Sequence, residues 1–432
     1  MSFRTLPFLG LFPALLAAQR PSNVDRQRVA AGLWAEARYN YAYWDGVRAN
    51  WDSAFAATVT YTEARPAPND VQFFRRLRRW GALLNDGQLE ILAPAAIANR
   101  IARPPLALRS VERRPFIMDY VLNDEMRVAR PQRLAEILAV QGIAAAAWIR
   151  DSVLPEIAGA DEASRWERAV TQMLDGERGT ALQLQLRLPG GTERGVSVTR
   201  TLALSARSSL DRAALEADTL PDGVIWMRVS SLADPDVVSL FDRALGDAAR
   251  EGPGHPGLIL DLRETTWTAP ERDQNYAPLL SRLIDRPFLT PRRRTPRYSL
   301  DSLDWISTPS DTIWPPARRE RIAYSGPVAV LCSPRTAGAA EDFVVAFRAG
   351  GRGPIIGERT AGSTGQTAVL PLGRGWKIRL TVSRDAFPDG KEFVGLGIAP
   401  DFAVDVHVAD VLAGRDAVLD RARAYLTETA RR

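Results

Sequence analysis

The chain is short of the side chains that most often carry chemistry: one cysteine and two histidines in 432 residues. A single cysteine, Cys332, excludes an intrachain disulfide. It sits in the apolar run Val328–Cys332, which suits packing; a nucleophilic thiol would need a base beside it. His255 lies in the turn 252–257 and His407 in an alternating segment, and both read as structural. No cluster of His, Cys, Asp and Glu has zinc spacing, and no glycine-rich phosphate loop is present, so no metal or cofactor is expected. Lysine is nearly missing as well: Lys377 and Lys391 apart, every basic residue is arginine. The net charge of +5 comes from arginines such as Arg75, Arg76, Arg78 and Arg79, spread among acids along the chain. This pattern fits a solvated surface better than a nucleic-acid patch, because no nucleic-acid-binding module accompanies it. Long hydrophobic runs are missing too. The apolar stretch Leu6–Ala18 follows Arg4 and is too short to span a bilayer comfortably. Pro7 and Pro13 argue against a buried helix there, so residues 1–18 read as a secretory leader ending at small residues. The expectation is an exported protein, periplasmic or secreted, with no stable membrane anchor.

What is present organises into regions. Residues 19–103 read as helical: Leu33, Ala37 and Tyr41 fall at helical spacing, and Asn69 and Asp70 are N-cap candidates. Phe73, Leu77, Trp80 and Leu84 form one apolar stripe, closed by the turn residues Asn85-Asp86-Gly87. Residues 104–210 read as a mixed α+β module. In it Leu182, Leu184, Leu186 and Leu188 alternate with polar residues, Pro189-Gly190-Gly191 turns the chain, and Val196 and Val198 alternate back as a hairpin. Residues 211–432 read as α/β. Strands are expected over 224–229, 258–262, 327–332 and 376–382, with helices around Val237, Phe241 and Leu245 and from Gly338 to Arg348.

Four segments in order resemble the tail-specific (C-terminal-processing) serine peptidase family and its tricorn-core relatives. They are Leu84-Asn85-Asp86-Gly87-Gln88; Leu258-Ile259-Leu260-Asp261-Leu262-Arg263; Pro327 to Phe343; and Gly357-Glu358-Arg359-Thr360-Ala361-Gly362 with Pro388-Asp389-Gly390 and Gly397-Ile398-Ala399-Pro400-Asp401. The resemblance implies an α/β fold: a crotonase-like ββα superhelix core preceded by a PDZ-like α+β module and an N-terminal helical region. The module lacks a recognisable glycine-rich carboxylate-binding loop.

Carried over position by position, the resemblance finds the chemistry missing. The family's serine nucleophile falls on Gly338, which has no hydroxyl. The base histidine of the tricorn-like branch falls on Gln88, which cannot take a proton near pH 7; its plainer reading is a polar residue just past a helix end. The lysine base of the other branch falls on Ser363, and the acidic position of the tricorn-like branch on Val394. A glycine pair that shapes the oxyanion pocket is replaced by Thr266 and Trp267, with Ala339 completing that region. Lys377 and Lys391 read as surface cations. The leading expectation is therefore a catalytically inactive homologue that binds a peptide or unfolded protein segment. Two alternatives stay open. One is a hydrolase using Ser333 or Ser363 with Glu341 and Asp342 nearby; the other is a carrier of hydrophobic small molecules on the same core.

Overall fold

The computed structural model describes residues 22–204, 213–250, 257–265, 276–298, 303–317 and 320–430. Residues 1–18, read above as a leader, and His255, Thr266 and Trp267 lie outside them. The architecture is mixed α/β. Its centre is a six-stranded sheet whose strands, in spatial order, are Leu215–Thr219, Ile225–Val229, Leu258–Asp261, Val328–Cys332, Ile355–Gly357 and Phe402–Ala403. All neighbours run parallel except the first pair. The two central strands are buried on both faces and apolar but for Asp261 at the end of the first, as expected for parallel strands covered by helices. One cover is helix Ala339–Ala349, whose Phe343, Val344, Val345 and Phe347 are wholly buried. The other is the C-terminal helix Ala417–Ala430, which packs Val418, Ala422 and Leu426 on the opposite face.

The Asp-Leu-Arg run has a structural task here. Asp261 ends its strand fully buried, and Arg263 folds back to give it a bidentate pair at 2.9 and 2.8 Å. The same guanidinium reaches Asp416, just before the C-terminal helix, at 2.8 Å from each carboxylate oxygen. Leu262, between them, is buried in the main core. One arginine thus links the central strand to the last helix through two charge-assisted forks, the strong form of the contact.

The N-terminal helices form a second layer. Helix Asp70–Gly81 starts at Asn69, whose side chain closes a reciprocal capping box with Gln72. Its stripe of Phe73, Leu77 and Trp80 is buried as the spacing predicts. The partner is distant in sequence: the hairpin of Thr367–Gly373 and Trp376–Thr381, whose second strand pairs with Glu90–Leu92, and which buries Leu372, Trp376, Ile378 and Leu380 in the same cluster. The middle module is a five-stranded antiparallel path that includes the expected hairpin, Ala181–Arg187 with Glu193–Thr199. Helix Glu162–Gln172 packs on it. Ion pairs tie that helix to the core: Arg335 reaches Glu167 at 3.1 Å and Glu264 at 3.0 Å.

Replacing Arg263 with alanine would leave Asp261 buried without its forked partner. The expected loss is about 3–5 kcal/mol of unfolding free energy. Urea denaturation of the wild type and Arg263→Ala measures it, and a loss under about 1 kcal/mol would contradict the clamp.

Candidate functional site

The site lies at the carboxyl end of the central sheet, where an open parallel sheet offers its crevice. Strand Val328–Cys332 runs into a hydroxyl-pinned turn. Ser333 donates its hydroxyl to the carbonyl of Arg263 at 2.8 Å, and Thr336 donates to that of Leu262 at 2.9 Å. Ser333 is 1% exposed, and its oxygen also accepts from the Arg335 N–H at 3.1 Å. Its hydroxyl is committed to holding the turn.

Gly338 then caps helix Ala339–Ala349 at φ 61° and ψ −130°, without a side-chain cap bond. Few L-residues adopt this backbone; strain of about 1–3 kcal/mol is typical where one must. Glycine holds the sharp turn without that cost. Its N–H donates to the carbonyl of Ser363 at 2.8 Å, so the Gly338 and Ser363 positions are brought together.

The loop 360–364 is shaped by carboxylates from the first turn of that helix. Glu341 is wholly buried. It accepts from the Thr360 hydroxyl at 2.5 Å, the Gly362 N–H at 2.8 Å and the Ser363 N–H at 2.7 Å. Burial pushes its carboxyl up to about 7, against the lowering effect of those donors. Asp342, next along, accepts from Thr364 at 2.9 Å. Burial, then the charge of Asp385, raises its proton affinity; Arg293, paired with Asp385 at 3.2 Å, partly offsets this. Glu341 and Asp342 do lie near Gly338, as the sequence suggested, and both are tied to the loop.

Gln88 differs from the sequence reading. It is 5% exposed, and its amide donates to the Gly365 carbonyl at 2.9 Å and the Thr381 hydroxyl at 3.3 Å. Asp86 beside it accepts from the Thr381 N–H at 2.9 Å and hydroxyl at 2.7 Å. The turn after the helix is therefore a buried joint between the N-terminal layer and the distant hairpin, which no helix-end signal could announce. Val394 packs against the main core, and Ala339 opens the helix.

Among the described residues, no imidazole or amine bonds to the Gly338 turn. His407 is exposed, with Nδ1 2.9 Å from Glu112 of the module. Lys377 and Lys391 are exposed, as expected of surface cations. Cys332 is buried, its thiol 3.0 Å from the Glu358 carbonyl, and burial pushes its proton affinity up, which fits packing.

A cavity of about 650 Å³ opens beside this turn, between the N-terminal layer, the module and the core. Ala337, Ala361 and Ser363 line its floor, Phe74, Leu89 and Ile91 one wall. Ser363 is 5% exposed, and its hydroxyl has no hydrogen-bond partner. It lies against Gly87, where an added Cβ would come within 2.2 Å of the Ser363 oxygen.

Residues 227–404 match the sequence model of Peptidase family S41. The chain is 26% identical over 252 residues to the chloroplastic C-terminal processing peptidase of Tetradesmus obliquus, covering 55% of this chain and 49% of that one. It is 31% identical over 93 residues to the carboxy-terminal-processing protease of Bartonella bacilliformis, covering 22% and 21%. The aligned segments thus span about half, or less, of the length of these curated relatives. Among solved structures, mature CPAF complexed with lactacystin superposes at a TM-score of 0.70 with 16% identity, covering 94% of this chain and 98% of that one. A putative peptidase from Parabacteroides merdae superposes at 0.54 with 16% identity, covering 94% and 96%. At these identities the likeness is one of fold.

The raised proton affinity of Asp342 gives a stability prediction. Its ordinary value is 3.8. Above about pH 4 the folded chain therefore holds a proton that the unfolded chain releases, so stability falls as pH rises through the neutral range. Asp342→Asn keeps an acceptor for Thr364 and removes that dependence. Urea midpoints from pH 4 to 8 should fall less steeply in the variant, and parallel profiles would contradict the assignment.

Proposed function

On the premise that this chain is a relative of the tail-specific peptidases, its residues 227–404 belonging to Peptidase family S41, we propose that it binds peptide or unfolded protein segments without hydrolysing them. We read residues 104–210 as a PDZ-like module, the core as crotonase-like, and residues 1–18 as a leader that exports the protein. The observation that carries the proposal is the Gly338 turn. The family's nucleophile position has no hydroxyl; the loop meets it through the Ser363 carbonyl and the Thr364 hydroxyl, and Glu341 on the helix accepts from the Ser363 N–H. Nothing among them pairs a nucleophile with a base, the arrangement that acyl transfer needs. Val394, at the family's acidic position, offers no carboxylate. The cavity persists beside this turn, and its size is that of an ordinary ligand pocket.

A second reading rests on one atom. The Ser363 hydroxyl lacks a partner and lines the cavity. A hydrolase built on it would still need a proton acceptor, and the nearest carboxylate, Glu341, already accepts from the Ser363 N–H.

Two measurements separate the readings. Unfolded-protein and peptide substrates should bind and stay intact, and Gly338→Ser should remain inactive, since losing one member of a coupled catalytic set costs roughly a thousandfold to a millionfold. Appreciable hydrolysis by that single variant would overturn the proposal. A fluorophosphonate should leave Ser363 unlabelled, and a covalent adduct there would favour the second reading.

A further inference from the structure

One end of the cavity, with the surface just behind it, carries more guanidiniums than carboxylates. Three arginines from a single helix converge on Glu156, which is 7% exposed. Arg75 reaches it at 2.8 Å, Arg79 at 3.2 Å and Arg78 at 4.0 Å. Arg78 also donates to Gln172 at 2.6 Å. The next carboxylate, Asp175, has Arg78, Arg103 and Arg200 as its cationic neighbours and no hydrogen bond from any of them. Arg200 is turned to the Leu174 carbonyl at 2.7 Å and the Thr180 hydroxyl. Arg103, half-buried on strand Ile101–Arg103, lines the cavity, and its side chain makes no hydrogen bond or ion pair within 4 Å among the described residues. Five guanidiniums therefore stand near two carboxylates: Arg78 and Arg103 line the cavity, while Arg75 and Arg79 are about half exposed.

The geometry points to an acidic peptide segment as the occupant: its side-chain carboxylates meet Arg78 and Arg103, and its backbone lies along the wall of Phe74, Leu89 and Ile91 towards Ser363. This rests on the peptide-binding reading above and adds the class of peptide. A planar guanidinium with unused N–H groups suits a carboxylate in fork geometry. The apolar wall and the narrow span between three packed layers suit an extended chain better than a nucleic-acid duplex.

The test uses the full chain and fluorescein-labelled, C-terminally amidated hexapeptides of alternating Glu-Leu or Gln-Leu, followed by fluorescence anisotropy. The Glu peptide should bind at least about tenfold tighter, the scale of one charge-assisted hydrogen bond. Arg103→Gln breaks no internal ion pair, so it should fold normally. It should remove about tenfold from Glu-peptide binding and leave the Gln peptide unchanged. Arg78→Gln should act in the same direction, and Arg103→Lys should retain part of the affinity. Equal binding of the two peptides, or indifference to Arg103→Gln, would overturn the acidic-peptide inference while leaving peptide binding itself intact. Failure of both peptides to bind would remove the peptide-binding reading and this inference with it. A Gln peptide with a free C-terminus that matches the Glu peptide, or displacement by inorganic phosphate at equal concentration, would show a terminus or general anion site instead, and either result overturns the assignment to acidic side chains.

Discussion

Everything at the site depends on one enclosed carboxylate. Glu341 sits on the first turn of the helix that covers the central sheet, and it accepts from two consecutive backbone N–H groups and a hydroxyl. Those donors belong to the loop that supplies Ser363, so helix and loop move as one body. A buried carboxylate is costly unless its lone pairs are filled, and here they are filled by backbone. The Gly338 turn closes the same unit from the other side, through its bond to the Ser363 carbonyl. The shape of this site is therefore held by its own set of contacts, separate from any group that would react there.

Much of this was legible in sequence where a local rule governed. Asn69 announced its helix because an N-cap is read within three residues. The strands at 258–261 and 328–332 showed as short apolar runs because both of their faces are covered. The start of the helix at Gly338 also followed from local signals. What stayed hidden was every partnership between distant segments. Gln88 read as a polar residue beyond a helix end, yet its partners are Gly365 and Thr381. Glu341 read only as an acid near the site, since nothing in its neighbourhood reveals that its hydrogen-bond donors lie at 360–363. Asp-Leu-Arg alone carried no meaning until Asp416 completed it. Arg75, Arg78 and Arg79 read as a solvated helix face, and the single buried acid that gathers them lies beyond the next module's strands.

The shortage of lysine and histidine has a structural counterpart. Where a cation is needed in a partly buried place, the chain uses arginine: Arg263 between two aspartates, Arg335 between two glutamates, Arg293 on Asp385. Arginine keeps its charge when enclosed and forks onto carboxylates, which suits scaffolding. It is a poor proton acceptor for the same reason. Arginine in these places therefore acts as a fixed cation that holds carboxylates in position.

The hairpin of residues 367–381 gives this molecule an order of assembly. It completes the core of the helical layer at the other end of the chain, and Asp86 and Thr381, which bond across that seam, are 295 positions apart. Trp51 and Phe55 lie against Trp80 within the layer itself, while Phe73 meets Trp376 of the hairpin, so the helical layer is only partly covered until the hairpin is made. The helical layer is made before the strands that finish its core. Pairings so distant in sequence form late, so that core closes after its helices.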